Sequence, residues 1–378
     1  MSSSALSLSD YLAQLVDLRK PKGLRHPLAA ILRLCCAALL SGALNPNAIA
    51  QWWENRRDQA NVLKRLGFTR SYGPSKSTLY RVLSQVSFES LTHQVSLWAE
   101  ANLAQGIPLP ADELEAVALD GKTLCGSQQR GAADTHLLSA VSHRLGVTLG
   151  QVAVNDKTNE IRAAPTLLTE LVLERRVFTM DALLTQRNIA QFLIDRKGDY
   201  LMIVKDNQPT LRNDLAVLFS GSDTPLFIDD HHSTLEKSRG RVEVRTLQTS
   251  SALNDYVNWP GVQQVFRLDR KTTILKTDHI RTETVYGLTS LPAARAGAAR
   301  LLKVTRGQWT IENRSHWIRD VLFKEDQSQL RAGRLPHVMA TLRNAVIGLI
   351  HLCRFQCVAH ALDFFAAHPL KALSAIGC

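Results

Sequence analysis

Three carboxylates stand out by the segments that carry them. Asp120 ends an alternating apolar run in AVALDGKTL, residues 116–124, and Asp181 ends a second run of the same build in VFTMDAL, residues 177–183. The pattern predicts two neighbouring strands that each deliver an acid to one sheet edge. Glu312 is the third candidate. It lies 131 residues after Asp181, which lies 61 after Asp120. Hard divalent cations take carboxylate oxygens. Two such ions, roughly 3.5–4 Å apart, activate the attacking oxygen and stabilise the leaving oxygen in phosphodiester chemistry. Glu325 and Asp326 lie on the same late helical segment and are the alternatives for the third ligand. A phosphate loop is excluded at DGKT, because it needs glycine at position 116, where Ala116 stands.

The elements that must position these acids follow from the periodicity. Strands are expected near 115–120, 136–143, 147–154, 176–181 and 200–204, with helices near 160–172 and 186–196. Three strands in succession, then alternating helix and strand, give an α/β fold. It is a mixed sheet flanked by helices, as in the RNase H-like fold. Pro209 opens a further helix, and the β-prone, basic stretches 241–249, 262–273 and 282–290 form an insertion at about 222–285. Its last strand is expected to return to the main sheet. A helix from about Pro292 to Glu325 begins the densest charge in the chain, with nine Lys or Arg against four Asp or Glu between Arg300 and Arg343. On its wheel Ile311, Ile318 and Leu322 share one stripe, while Glu312, His316 and Arg319 share another. A packing helix from Val338 to Cys353 follows.

Ahead of this region, residues 1–104 read as a small all-helical domain. Ser9 caps a first helix carrying Leu12, Leu15, Val16 and Leu18, and further helices run over 28–44, 48–66 and 77–104. GPSKSTLYRVL, residues 73–83, offers a turn, a capping Ser75, and Lys76, Ser77, Tyr80 and Arg81 on the first turns of a helix. A helix-turn-helix recognition element has that build, and so does an ordinary helix start with solvated polar residues. The prolines of GIPLPADE, residues 105–112, mark a linker. The catalytic region then spans 112–350, and 351–378 is a tail.

The chain has 378 residues, 45% of them apolar, with a net charge of +11. Its isoelectric point near 9.5 favours an anionic partner such as nucleic acid. The six cysteines lack zinc-site spacing, and no leader suggests an oxidising compartment, so they read as reduced thiols in the cytoplasm. The longest apolar run, Leu28 to Leu44, is seventeen residues and contains Arg33, which falls short of a bilayer span.

The segments LDGKTLCGS (119–127), HLLSAVS (136–142), DKTNEIRAAPTLL (156–168), FTMDALLTQRNIA (178–190), DYLMIVKDNQPTL (199–211), RGRVEVR (239–245) and RGQWTIENRSHWIRDVLFKED (306–326) resemble the H-repeat-associated insertion-sequence transposases, a DDE family. Residues 8–98 are similar to the helical domain that precedes the catalytic region in these proteins. The resemblance implies an RNase H-like core with Asp120, Asp181 and Glu312 as a catalytic triad holding two Mg²⁺ or Mn²⁺ ions. It implies cleavage and strand transfer at insertion-sequence ends, on double-stranded end and target DNA, by a homodimer at the nucleoid. Expected DNA contacts are Lys122, Lys157, Lys205, Asn207, Gln208, Arg241, Arg306, Trp309, His316 and Arg319, with Trp317 a second stacking candidate. Cys125 stands where the family often has Arg, and Arg239 where it often has His; neither change removes a metal ligand. The rival readings are a nuclease of the same superfamily that transfers no strand, and an inactive domesticated DNA-binding protein.

Overall fold

The computed structural model describes residues 6–21, 24–105, 109–110, 113–125, 135–154, 160–220 and 227–378. Two compact units divide the chain. One comprises Met1–Pro108, Gly121–Ala163 and Thr310–Cys378, the other Leu109–Asp120 and Ala164–Trp309. In chain order the catalytic region runs β1 (Glu115–Leu124), β2 (Thr135–Ser142), β3 (Thr148–Val154), α7 (Glu160–Thr169), β4 (Arg176–Met180), α8 (Arg187–Asp195), β5 (Asp199–Val204) and α9 (Pro209–Ser220). That is the succession expected of an RNase H-like core. Six helices precede it: α1 (Leu8–Ala13), α2 (Leu28–Leu40), α3 (Pro46–Glu54), α4 (Ala60–Leu66), α5 (Lys76–Leu83) and α6 (Phe88–Gln105).

The unit containing Asp120 is built on a mixed sheet. β1, β4 and β5 lie side by side and parallel. The expected insertion supplies β6 (Asp230–Ser238), β7 (Arg241–Ser250), β8 (Gln264–Ile274) and β9 (His279–Thr289). These four form an antiparallel meander, and β9 pairs with β5 through Leu201–Thr289 to Val204–Tyr286, so the last inserted strand does return to the main sheet. The β6–β7 hairpin closes on Arg239 and Gly240, with φ of 48° and 73°. Two successive left-handed residues match the twist that a two-residue hairpin needs. α10 (Ala298–Gly307) buries Leu301, Leu302 and Val304 against Val177, Leu201, Leu247 and Phe266.

The other unit holds the helical domain, β2, β3, the end of β1 and the C-terminal helices. β2 and β3 pair antiparallel, with β2 next to β1. α13 (Leu335–Leu352) is buried almost throughout and packs on α2 and α6, as its continuous apolar pattern requires. Two helices, α14 (Val358–Ala367) and α15 (Pro369–Ile376), close the chain.

Local capping corrects several expected boundaries. Ser7, not Ser9, caps α1: its hydroxyl accepts from Asp10 N–H, and the Asp10 carboxylate accepts from Ser7 N–H at 2.8 Å. This helix stops at Ala13, leaving Val16 and Leu18 exposed. The expected helix 48–66 is two helices, and 77–104 breaks at Ser84–Ser87, where the Ser87 hydroxyl accepts from Ser90 N–H and starts α6.

Candidate active site

β1 and β4 run parallel with Glu115 opposite Arg176 and Leu119 opposite Met180. One residue further along each strand come Asp120 and Asp181. The two acids therefore leave the carboxyl ends of neighbouring parallel strands in register, where sites of open α/β sheets form. Adjacent strands lie about 4.8 Å apart. Leu119 and Met180 are fully buried, Asp120 is half-buried and Asp181 exposed, so the acids stand where the buried parts of both strands end. Two carboxylates so placed offer only oxygen donors, the set a hard divalent cation takes.

The loop after Asp181 is tied down. The Asp181 carboxylate accepts from Leu184 N–H at 3.1 Å, and the Thr185 hydroxyl, within reach of Asp181 C=O, donates to Ile203 C=O at 2.6 Å. Asn207 donates to Ala182 C=O at 2.6 Å, and Gln208 to Thr185 C=O at 3.1 Å. These two amides, expected as DNA contacts, thus brace the Asp181 loop.

Gln308, just past the end of α10, escaped the sequence reading. Its amide nitrogen donates to Leu119 C=O at 3.0 Å, and its carbonyl oxygen accepts from the Thr179 hydroxyl. One side chain grips β1 one residue before Asp120 and β4 two residues before Asp181. Glu312 follows Gln308 by four residues, one helical turn. The only sequence signal was an amide at that spacing before an acid.

In the other unit, Glu312 opens a π-helical turn, Glu312–His316, between α11 (Trp309–Ile311) and α12 (Trp317–Val321). Such wide turns occur frequently at functional sites. The Glu312 side chain is 49% exposed and lies 3.4 Å from His316 Nδ1. The hydrogen bond from His316, with the charge of Lys122 helping, holds Glu312 below the usual carboxylate range despite partial burial. Burial pushes the His316 imidazole down, and the Glu312 bond opposes it. Lys122, two residues beyond Asp120 on β1, is buried and reaches both Asp320 carboxylate oxygens at 2.6–2.7 Å, with Asp326 at 3.7 Å. Burial raises the Asp320 pKa, and Lys122 counteracts it.

Glu325 cannot serve as a ligand in this arrangement. It is 2% exposed, one oxygen accepting from Arg319 Nε at 2.6 Å and the other from Arg343 at 2.7 Å. Arg343 donates in turn to Leu44 C=O at 3.0 Å. The structure therefore corrects the expectation of Arg319 at a DNA surface: it is fully buried and neutralises Glu325. Lys122 and His316 are buried as well. Lys205, Arg241, Trp309 and Trp317 are exposed, and Arg306 pairs with Glu236 at 2.6 Å. Lys157 lies outside the described residues.

Behind the DGKT segment, the His136 imidazole bridges the Thr123 hydroxyl at 2.9 Å and Glu160 at 2.6 Å. A Cβ on Gly121 would collide with the Glu160 carboxylate and meet His136 Nε2 at 2.6 Å. The glycine after Asp120 is thus required by this buried pair.

The succession of elements and the paired strand-end acids define a class of α/β proteins with a carboxylate site on parallel strands. Residues 112–349 match the family described as Transposase DDE domain, and residues 9–99 match the one described as DDE_Tnp_1-associated. The chain belongs to the DDE transposase-domain family. YncI of Escherichia coli O157:H7, designated a candidate transposase, is 29% identical over 93% of this chain and 89% of its own. YhhI of Escherichia coli K12, designated an H repeat-associated candidate transposase, is 28% identical over 91% of this chain and 90% of its own. Among solved structures, the piggyBac transposase synaptic complex with hairpin DNA aligns with 97% of this chain and 76% of that one at TM-score 0.43 and 11% identity. At that level the overlap says nothing about chemistry. Among the described residues no helix is long and apolar enough to cross a membrane.

Proposed function

We propose that this protein is a metal-dependent DNA transposase that cuts insertion-sequence ends and joins them to target DNA. The observation that carries the reading is the in-register placement of Asp120 and Asp181 on parallel strands in a chain of this family. Asp120, Asp181 and Glu312 are the metal ligands. Glu312 enters the set through its segment, RGQWTIENRSHWIRDVLFKED, which resembles the family's third-acid segment. The buried Glu325 has neither oxygen to give.

Mg²⁺ or Mn²⁺, as a pair of ions, would activate water and then a DNA 3′ hydroxyl for in-line attack and stabilise the departing oxygen. The three carboxylates would hold those ions. Lys122 offsets the charge of Asp320 and Asp326, and His316 orients Glu312 in its ionised form. Lys205, Arg241 and the exposed Trp309 face the DNA, phosphates by charge and unpaired bases by stacking. The complex acts as a homodimer, one protomer for each end.

Strand transfer separates this reading from a nuclease without joining activity. A labelled, precut end duplex is incubated with a supercoiled target plasmid and Mg²⁺ or Mn²⁺. The expected result is label covalently joined to plasmid; cleavage of uncut ends without joining points to the nuclease. Binding with no turnover under either metal points to an inactive DNA-binding protein.

A further inference from the structure

Two cavities in the helical unit share part of their lining. One, of about 460 Å³, is bounded by Asn47, Tyr80, Lys324 and Gln327; the other, of about 590 Å³, by Asn47, Lys76, Tyr80 and Arg81. Asn47 and Tyr80 belong to both, so they form one groove. Its lining contains three cations, several amides and hydroxyls, and no carboxylate. The cations come from two distant parts of the chain, Lys76 and Arg81 on α5 and Lys324 on the segment after α12. All three are exposed.

α5 is built to present one face. Leu79, Val82 and Leu83 are buried, while Lys76, Ser77, Tyr80 and Arg81 follow a stripe on the other side. With its side chains an α-helix is about 10–12 Å across, which the DNA major groove, about 12 Å wide, admits.

We infer that this groove seats duplex DNA at the end of the element. Lys76, Arg81 and Lys324 hold phosphates, and Asn47, Tyr80 and Gln327 read base edges of the element's end. The inference rests on the transposase reading and names the surface that chooses its substrate. An acidic peptide would be served by the cations alone. The amides suit a duplex better, since Asn and Gln pair with adenine edges in the major groove.

The test uses the full-length protein and fluorescence anisotropy in EDTA, so that no chemistry intervenes. The probes are a labelled 30-bp duplex taken from the DNA that flanks the coding sequence and an unrelated duplex of equal length, each titrated across a series of salt concentrations. Lys76→Ala, Arg81→Ala and Lys324→Ala combined should lower the slope of log affinity against log salt by about 2–3, one counterion per lost phosphate contact. Asn47→Ala with Gln327→Ala should leave the slope unchanged and reduce the preference for the end duplex about tenfold or more. Lys324→Ala alone, at an exposed position, should lower the slope by about 1 without altering thermal stability. Wild-type slope and preference in these variants would overturn the inference, as would stronger competition by duplex RNA or polyglutamate than by DNA. Failure of the transposase reading looks different: the variants shift binding as stated, yet the wild type neither cuts nor joins DNA with metal.

Discussion

Glu325→Gln should unfold the protein at a markedly lower temperature without touching the metal site directly. Glu325 sits between two guanidinium groups, Arg319 fully buried and Arg343 2% exposed, and each of its oxygens accepts from one of them. Those arginines hold it below the usual carboxylate range although burial pushes the other way. Glutamine keeps the shape and removes the charge, so two buried cations face each other without a counterion. Removing one partner of a buried ion pair costs about 3–5 kcal/mol. Each kcal/mol shifts the midpoint of a 150–250-residue protein by roughly 2–4 °C. For this longer chain a drop of about 4–6 °C is expected by the same scaling. Differential scanning fluorimetry reads it, with Glu312→Gln as comparator. Glu312 is half exposed, and its variant should melt within about 1–2 °C of wild type, as surface changes do, while losing metal-dependent cleavage. A Glu325→Gln protein that melts like wild type but fails to cleave DNA would refute this reasoning and make Glu325 a ligand.

Gln308→Leu should raise the Mn²⁺ concentration needed for half-saturation by about 10–100-fold, the usual cost of losing an outer-shell partner. Titration followed by electron paramagnetic resonance measures it, and unchanged Mn²⁺ affinity would reduce Gln308 to a packing role. Gly121→Ala must push apart the His136–Glu160 pair, so a loss on the order of 3 kcal/mol in urea unfolding is expected from overpacking a filled site. Burial pushes His143 down to about 4 and lowers His316. The unfolded chain then binds these protons first, near pH 6.5. Their contribution to stability is complete above that pH and is lost as the pH falls towards 4. The thermal midpoint should accordingly fall between pH 7 and pH 5, and a rise over that interval would contradict the burial of these rings.

The strands that lead to the first two acids were legible in the sequence, because the runs ending at Asp120 and Asp181 are short, apolar and β-prone, and they are strands. Register between them is a tertiary fact, yet equal placement at the ends of both runs anticipated it. The late helix was harder to read. Charge density there suggested a surface, but Arg319 finds its partner six residues on and Arg343 shares it from α13. A count of charges cannot distinguish a solvated face from a buried triad. Gln308 was missed for a related reason: its two partners are 129 and 189 residues away. The break before α6 was visible in principle, since Ser87 is a favoured helix cap and Glu89 puts an acid in the first turn. The apolar period running through 77–104 masked it.

The claim that Asp120, Asp181 and Glu312 together hold the catalytic metal is tested most directly by Mn²⁺-dependent cleavage of an end-containing duplex by the wild type and by Asp120→Asn, Asp181→Asn and Glu312→Gln. Duplex binding in EDTA and melting temperature are measured on the same preparations. The account predicts cleavage by the wild type alone, with binding and melting preserved in all four proteins. Retained cleavage in any one of the three variants would contradict it.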